Sequence, residues 1–162
     1  MDREPTVIYS GTGQGKSSAA LGLALQCVCN GGHAVIIQFL KGKGIDISEY
    51  ARKLEPELKI FRFERSPGEF SELSGDKRDE EIQNIKNGLG YARKVMSTGE
   101  CDVLVLDEVL GVLDMGVITS SELEALIDMK PDRTKLVLTG TVLTDEIAAK
   151  ADNITMLSNV KF

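Results

Sequence analysis

The run Ser10-Gly11-Thr12-Gly13-Gln14-Gly15-Lys16-Ser17-Ser18 sits between a short apolar segment, Thr6–Ser10, and a segment rich in alanine and leucine, Lys16–Cys29. A glycine-dense turn that leaves a strand and opens a helix constrains the fold more than any other feature of the chain. Glycines let successive backbone N–H groups turn inward around an anion, and the helix N-terminus adds partial positive charge. A lysine placed there reaches terminal phosphates as a point charge. Context and spacing are those of a phosphate-binding loop, with Ser10 standing where the strict pattern has glycine. Gly11, Thr12, Gly13, Gln14, Gly15, Lys16, Ser17 and Ser18 are therefore candidate nucleotide-binding residues, and the Ser17 hydroxyl is the candidate ligand for magnesium.

The rest of the chain repeats the alternation. Apolar runs at Thr6–Ser10, Ala34–Leu40, Leu58–Phe63, Val103–Leu106 and Leu136–Thr139, with a weaker one at Ile154–Leu157, are separated by longer amphipathic stretches. This pattern predicts parallel strands crossed over by helices. Over Asp76–Met96, the residues Ile82, Ile85, Leu89, Ala92 and Met96 recur at helical spacing, and the acidic start suits the helix dipole. Gly88 and Gly90 weaken the middle of that helix. Ser121 followed by Glu124 has the form of a capping box opening another helix, with Leu123, Leu126 and Ile127 turned inward and a stop before Pro131. The expected fold is a three-layer α/β domain of the P-loop NTPase-like, RecA-like kind, with a mainly parallel sheet and helices on both faces. No repeat, low-complexity segment or dividing linker interrupts it, so residues 1–162 are expected to form one domain. The least structured region is expected at Arg65–Gly75.

Composition narrows the partners. With 42% hydrophobic and 27% charged residues, and no apolar run near the roughly 20 residues a bilayer span requires, the chain reads as soluble. Its first residues lack a signal-peptide pattern, and a cytoplasmic location is expected. Nineteen basic against twenty-five acidic residues give a net charge of −6, which disfavours binding to a phosphodiester backbone. The three cysteines show no metal-ligand spacing: Cys27 and Cys29 stand two apart in a helical stretch and Cys101 is remote. They are expected to be reduced, packed thiols. His33, the one histidine, ends a loop before a strand and anchors no catalytic triad.

A second motif completes the first. Val103-Leu104-Val105-Leu106-Asp107-Glu108 is a buried-strand run ending in two carboxylates, the form of the acidic element of a P-loop site. Parallel strands place their carboxyl ends together, so Asp107 and Glu108 are brought to the edge where the loop lies and become candidate magnesium ligands beside Ser17.

With these motifs in place, the chain resembles the P-loop ATP:corrinoid adenosyltransferases of cobalamin biosynthesis and salvage. The likeness rests on GTGQGKSSAA at 11–20, IIQFLKG at 36–42, LVLDEV at 104–109 and LVLTG at 136–140, and with the intervening spacing it covers nearly the whole chain. It adds Gln38 and Lys41, from the distinctive second segment, to the nucleotide-binding set. The resemblance implies transfer of the 5′-deoxyadenosyl group of MgATP to the reduced cobalt of a corrinoid, with release of triphosphate. ATP and a reduced corrinoid are then the partners, and a homodimer is suggested by the family alone. Lys16, Asp107 and Glu108 become the catalytic residues by implication, acting through charge and positioning, because the reduced metal needs no protein base. The segment Gly68-Glu69-Phe70 corresponds to the family's corrinoid-facing stretch and makes Phe70 the candidate corrinoid contact. Gln14 and Thr141 stand where the family usually has lysine and arginine, and the chain has no tryptophan. Two other readings compete: a binding module of the same fold without transfer, and a P-loop kinase or ATPase.

Overall fold

The computed structural model describes residues 2–40, 51–63 and 72–161. Lys41 and Phe70, both candidate site residues, lie outside the described residues, as does most of the Arg65–Gly75 stretch.

Six strands form one sheet in which every pairing is parallel. They are β1 (Thr6–Ser10), β2 (Ala34–Gln38), β3 (Leu58–Arg62), β4 (Val103–Asp107), β5 (Lys135–Gly140) and β6 (Asn153–Met156), in the spatial order β3-β2-β4-β5-β1-β6. The helices are α1 (Lys16–Cys29), α2 (Gly75–Thr98), α3 (Val109–Asp114), α4 (Ser120–Asp128) and α5 (Asp145–Ala148). The register aligns Gln38 with both Asp107 and Arg62, and Ser10 with Gly140, so these residues share the carboxyl edge of the sheet.

Side chains alternate across a strand, so β4 feeds two separate cores. Val103 and Val105 face the layer that holds α1, with Val7, Ile36 and Val137. Leu104 and Leu106 face the other layer, with Ile37, Leu136 and Leu138 and with residues of α2 to α5. Each such fully buried aliphatic side chain contributes about 1.5–3 kcal/mol relative to exposure. On the first face α1 lies close because Ala20 and Ala24, four apart, are the residues turned to the sheet, and both are wholly buried. On the second face the predicted stripe of α2 is realised: Ile85, Leu89, Ala92 and Met96 are buried and Ile82 packs against them. Gly88 belongs to that stripe. A Cβ there would stand 3.0 Å from Phe39 and 3.1 Å from Phe63, so the missing side chain lets α2 settle on the two rings.

Two expectations are corrected. The N-cap of α4 is Thr119, whose hydroxyl accepts the Glu122 N–H at 3.1 Å, not Ser121. Thr119–Glu122 and Ser121–Glu124 satisfy the same capping pattern, and the earlier start is the one that turns Leu123, Leu126 and Ile127 into the core. The short helices α3 and α5 have too few residues to show a period. Cys29 is exposed rather than packed, because its spacing from the buried stripe of α1 turns it to solvent. Cys101 is buried, donates to the Val103 carbonyl at 2.7 Å, and has its thiol pushed up to about 12 by burial, which leaves it inert.

Candidate nucleotide site

The loop between β1 and α1 is built from both sides of the sequence. Gly11 and Gly15 adopt φ of +109° and +106°, the left-handed region that glycine enters without cost. A Cβ on Gly13 would lie 2.6 Å from the backbone of Leu157 and Ser158, and one on Gly11 would collide with the Leu157 carbonyl oxygen. The segment after β6 therefore lies flush against the loop. Leu157 N–H donates to the Ser10 carbonyl at 2.8 Å, Gly13 N–H donates to the Leu157 carbonyl at 2.8 Å, and Gln14 N–H donates to Asn159 Oδ1 at 3.1 Å. No sequence motif announced residues 157–159 as part of this loop.

The first turn of α1 carries no side-chain cap and no acidic residue, whereas α4 and α5 are capped by Thr119 and Thr144. An uncapped N-terminus with glycines before it is the arrangement that receives an anionic group. Lys16 Nζ donates to the Gly13 carbonyl at 2.9 Å, folded back across its own loop.

Asp107 brings the two motifs together. Its Oδ1 accepts from Ser17 Oγ and from Thr139 Oγ1, both at 2.8 Å, and Thr139 Oγ1 in turn accepts the Glu108 N–H at 2.8 Å. Asp107 is 1% exposed and its Oδ2 has no hydrogen-bond partner among the described residues. Burial raises its pKa, opposed by the hydrogen bonds from Thr139 and Ser17 and by the charges of Lys16 and Arg62. A buried carboxylate oxygen without a donor costs on the order of 1–3 kcal/mol, and such a cost persists at sites where a ligand relieves it. Glu108, also buried, holds a left-handed φ of +64°, unusual outside glycine. Among the described residues no group of three His, Cys, Asp or Glu side chains could hold a metal ion alone. An oxygen-seeking cation would instead combine Ser17 and the acidic pair with phosphate oxygens of a nucleotide.

Gln38 lies at the same edge as the register neighbour of Asp107, the residue that Ser17 reaches. Its side chain, 1% exposed, accepts two hydrogen bonds through Oε1, from Arg62 Nε at 3.1 Å and Nη2 at 3.0 Å. Thr139, bonded to Asp107, and Arg62, bonded to Gln38, are contacts of candidate residues that reading the sequence missed. Thr139 sat within a flagged segment, LVLTG, with no role attached, and Arg62 lay inside the run Leu58–Phe63 without being singled out.

Fold and site define the class: a phosphate-loop α/β domain with its acidic strand end against the loop serine. The sequence model of the family described as ATP:corrinoid adenosyltransferase BtuR/CobO/CobP matches residues 2–162, and the chain belongs to that family. Corrinoid adenosyltransferases of Pseudomonas aeruginosa and Escherichia coli K12 are 26% and 22% identical to it, over 99% of this chain and 77% and 79% of theirs. An uncharacterised protein of Nostoc is 28% identical over 90% of this chain, which spans only 41% of that protein's length. Among solved structures, domain III of the Thermotoga maritima replication initiation protein DnaA superposes with a TM-score of 0.50 at 15% identity, covering 96% of this chain and 55% of that one. That likeness bears on fold alone. No helix among the described residues is long and apolar enough to cross a membrane.

Proposed function

We propose that this chain binds MgATP at the β1–α1 loop and transfers the 5′-deoxyadenosyl group to the reduced cobalt of a corrinoid, releasing triphosphate, as a cytoplasmic enzyme. In this reaction the cobalt electron pair forms the bond to the ribose 5′-carbon. The carbon–oxygen bond to the triphosphate breaks with its pair on oxygen, and the cobalt is oxidised by two electrons. The observation that carries the reading, in a chain of this family, is Asp107 Oδ2, buried and without a hydrogen-bond partner among the described residues, beside the Ser17 hydroxyl at the head of the phosphate loop.

Each residue then has a task. The loop amides and Lys16 bind the triphosphate, and Lys16 exchanges the Gly13 carbonyl for a phosphate oxygen when the nucleotide enters. Ser17, Asp107 and Glu108 would hold magnesium, which when bound neutralises charge on the departing triphosphate. Thr139 fixes the Asp107 carboxylate through Oδ1 and leaves Oδ2 for the ligand. The protein acts by positioning and electrostatics, since the nucleophile belongs to the substrate.

The test is the bond that breaks. Under anaerobic conditions with MgATP, triphosphate should form only when reduced corrinoid is present, with little ADP in its absence. Corrinoid-independent ADP release at ordinary enzymatic rates would overturn the reading in favour of an ATPase, and nucleotide binding with no product would favour a module without transfer.

A further inference from the structure

The phosphate loop does not hold all of its backbone N–H groups ready for a ligand. Gly13 N–H donates to the Leu157 carbonyl at 2.8 Å and Gln14 N–H to Asn159 Oδ1 at 3.1 Å, so two successive donors are committed to the segment after β6. The next donors, on Gly15 and on Lys16, Ser17 and Ser18 in the uncapped first turn of α1, have no acceptor among the described residues. In a plain nest of successive amides all of these would converge on one anion. Here the loop is divided.

Position explains the division. In the sheet order β1 lies between β5 and β6, so the loop has the segment after β6 on one flank and the bonded pair Asp107 and Thr139 toward the other. The β6 flank is closed by backbone, since a Cβ on Gly13 would stand 2.6 Å from Leu157 and Ser158. A triphosphate is then received on the side where Ser17 meets Asp107 at 2.8 Å. Ser158, Val160 and Lys161 are exposed, but Asn159 among them is partly buried and turns its side chain in to the loop. Its carboxamide oxygen accepts a hydrogen bond without bringing a negative charge toward the phosphates, and residues 153–161 contain no acid.

We infer that Asn159 is a positioning residue of the nucleotide site: with the Leu157 carbonyl it fixes the peptide of Gln14, so that the triphosphate is held by the amides of Gly15 to Ser18 and by Lys16, and not by those of Gly13 and Gln14. Without the Asn159 oxygen the Gln14 peptide is free to turn, and part of the binding energy is spent on ordering the loop. The inference rests on the phosphate-loop reading and is independent of the transfer step.

The test uses the full chain with MgATP and no corrinoid. Amide hydrogen exchange, followed residue by residue by NMR, should show Gly13 and Gln14 protected both before and after nucleotide is added, with Gly15 to Ser18 gaining protection on binding. In calorimetry Asn159→Ala should bind MgATP about fivefold more weakly, through one lost hydrogen bond. Its melting temperature should fall by no more than about 4 °C. Asn159→Asp keeps an acceptor, so Gln14 should stay protected, while the added charge should weaken MgATP binding in a way that added salt partly restores. A role in holding the fold alone would move neither the exchange pattern nor the salt dependence. Loss of protection at Gly13 and Gln14 on adding MgATP, or tighter binding by Asn159→Ala, would overturn the inference, because the segment would then be an occupant that phosphate displaces. Unchanged affinity in Asn159→Ala would overturn it as well. If Asn159→Ala melts well below the parent, the exchange pattern of the parent, which needs no variant, decides. Failure of the parent to bind MgATP would take the phosphate-loop reading down together with this one.

Discussion

At the amino edge of the sheet, Asp102 accepts the His33 N–H at 2.9 Å and an Arg133 N–H at 3.1 Å. Thr134 donates to the Cys101 carbonyl at 2.7 Å, and Asp152 accepts the Thr6 N–H at 2.8 Å. At the carboxyl edge Ser10 Oγ and Asp107 Oδ2 are buried without hydrogen-bond partners among the described residues, and Glu108 holds a left-handed backbone conformation. Thr6 Oγ1 is the exception at the amino edge. The two edges are made by the same six strands, so the difference is one of side chains. Where polar groups are closed on one another, the edge contributes to holding the fold together. Where they are left short of partners at a cost in free energy, the edge is prepared for something the protein alone does not supply.

Mutations at each edge put that division at risk. Lys16→Ala should lower ATP affinity at least a hundredfold, about 3 kcal/mol, since it removes a charge-assisted contact and no core volume. Its melting temperature should stay within a few degrees. Calorimetry and thermal denaturation on one preparation check both, and unchanged affinity would remove the loop from the functional edge altogether.

Asp107→Asn should reduce the magnesium dependence of ATP binding about tenfold or more, yet stabilise the ligand-free protein at neutral pH by on the order of 1 kcal/mol, because it removes a buried charge. Linkage sets the sign. Burial raises the folded pKa of Asp107 above its ordinary 3.8, so the folded state holds its proton more tightly. Stability attributable to this group is greatest at low pH and falls as pH rises to the folded value, then levels. The advantage of the asparagine variant should therefore shrink on acidification. A variant less stable than the parent at neutral pH would mean that the hydrogen bonds from Ser17 and Thr139 outweigh desolvation.

Asp102→Ala, at the opposite edge, should cost about 1 kcal/mol, a fall of about 2–4 °C in melting temperature, and leave ATP affinity unchanged. The effect is the smallest of the three because the ion pair to Arg133 is partly exposed. A loss of nucleotide binding here would blur the two edges into one coupled unit.

Much of this was legible in the chain itself. β1 and α1 fall where the apolar run and the alanine-rich segment end, because glycines and a buried stripe leave no other register. The meeting of Ser17 with Asp107 followed from parallel strands sharing a carboxyl edge. Other parts were hidden for physical reasons. Thr139 acts by one hydroxyl at a register position that only the pairing of β4 with β5 defines. Arg62 gains meaning from Gln38, 24 residues earlier, through a neighbouring strand. The four-residue α5 is fixed by its Thr144 cap and by tertiary packing of Ile147, which no local period encodes.

The support that residues 157–159 give the phosphate loop has a consequence for how the site comes into being. Gln14 and Asn159, which hydrogen-bond at 3.1 Å, are 145 residues apart. At about 5–20 residues per second, a ribosome that has made the loop needs roughly 7–30 s more to make its brace. Nucleotide in the cell thus meets a nascent chain whose loop is still unbraced. The braced site therefore forms only after residues 157–159 have been made.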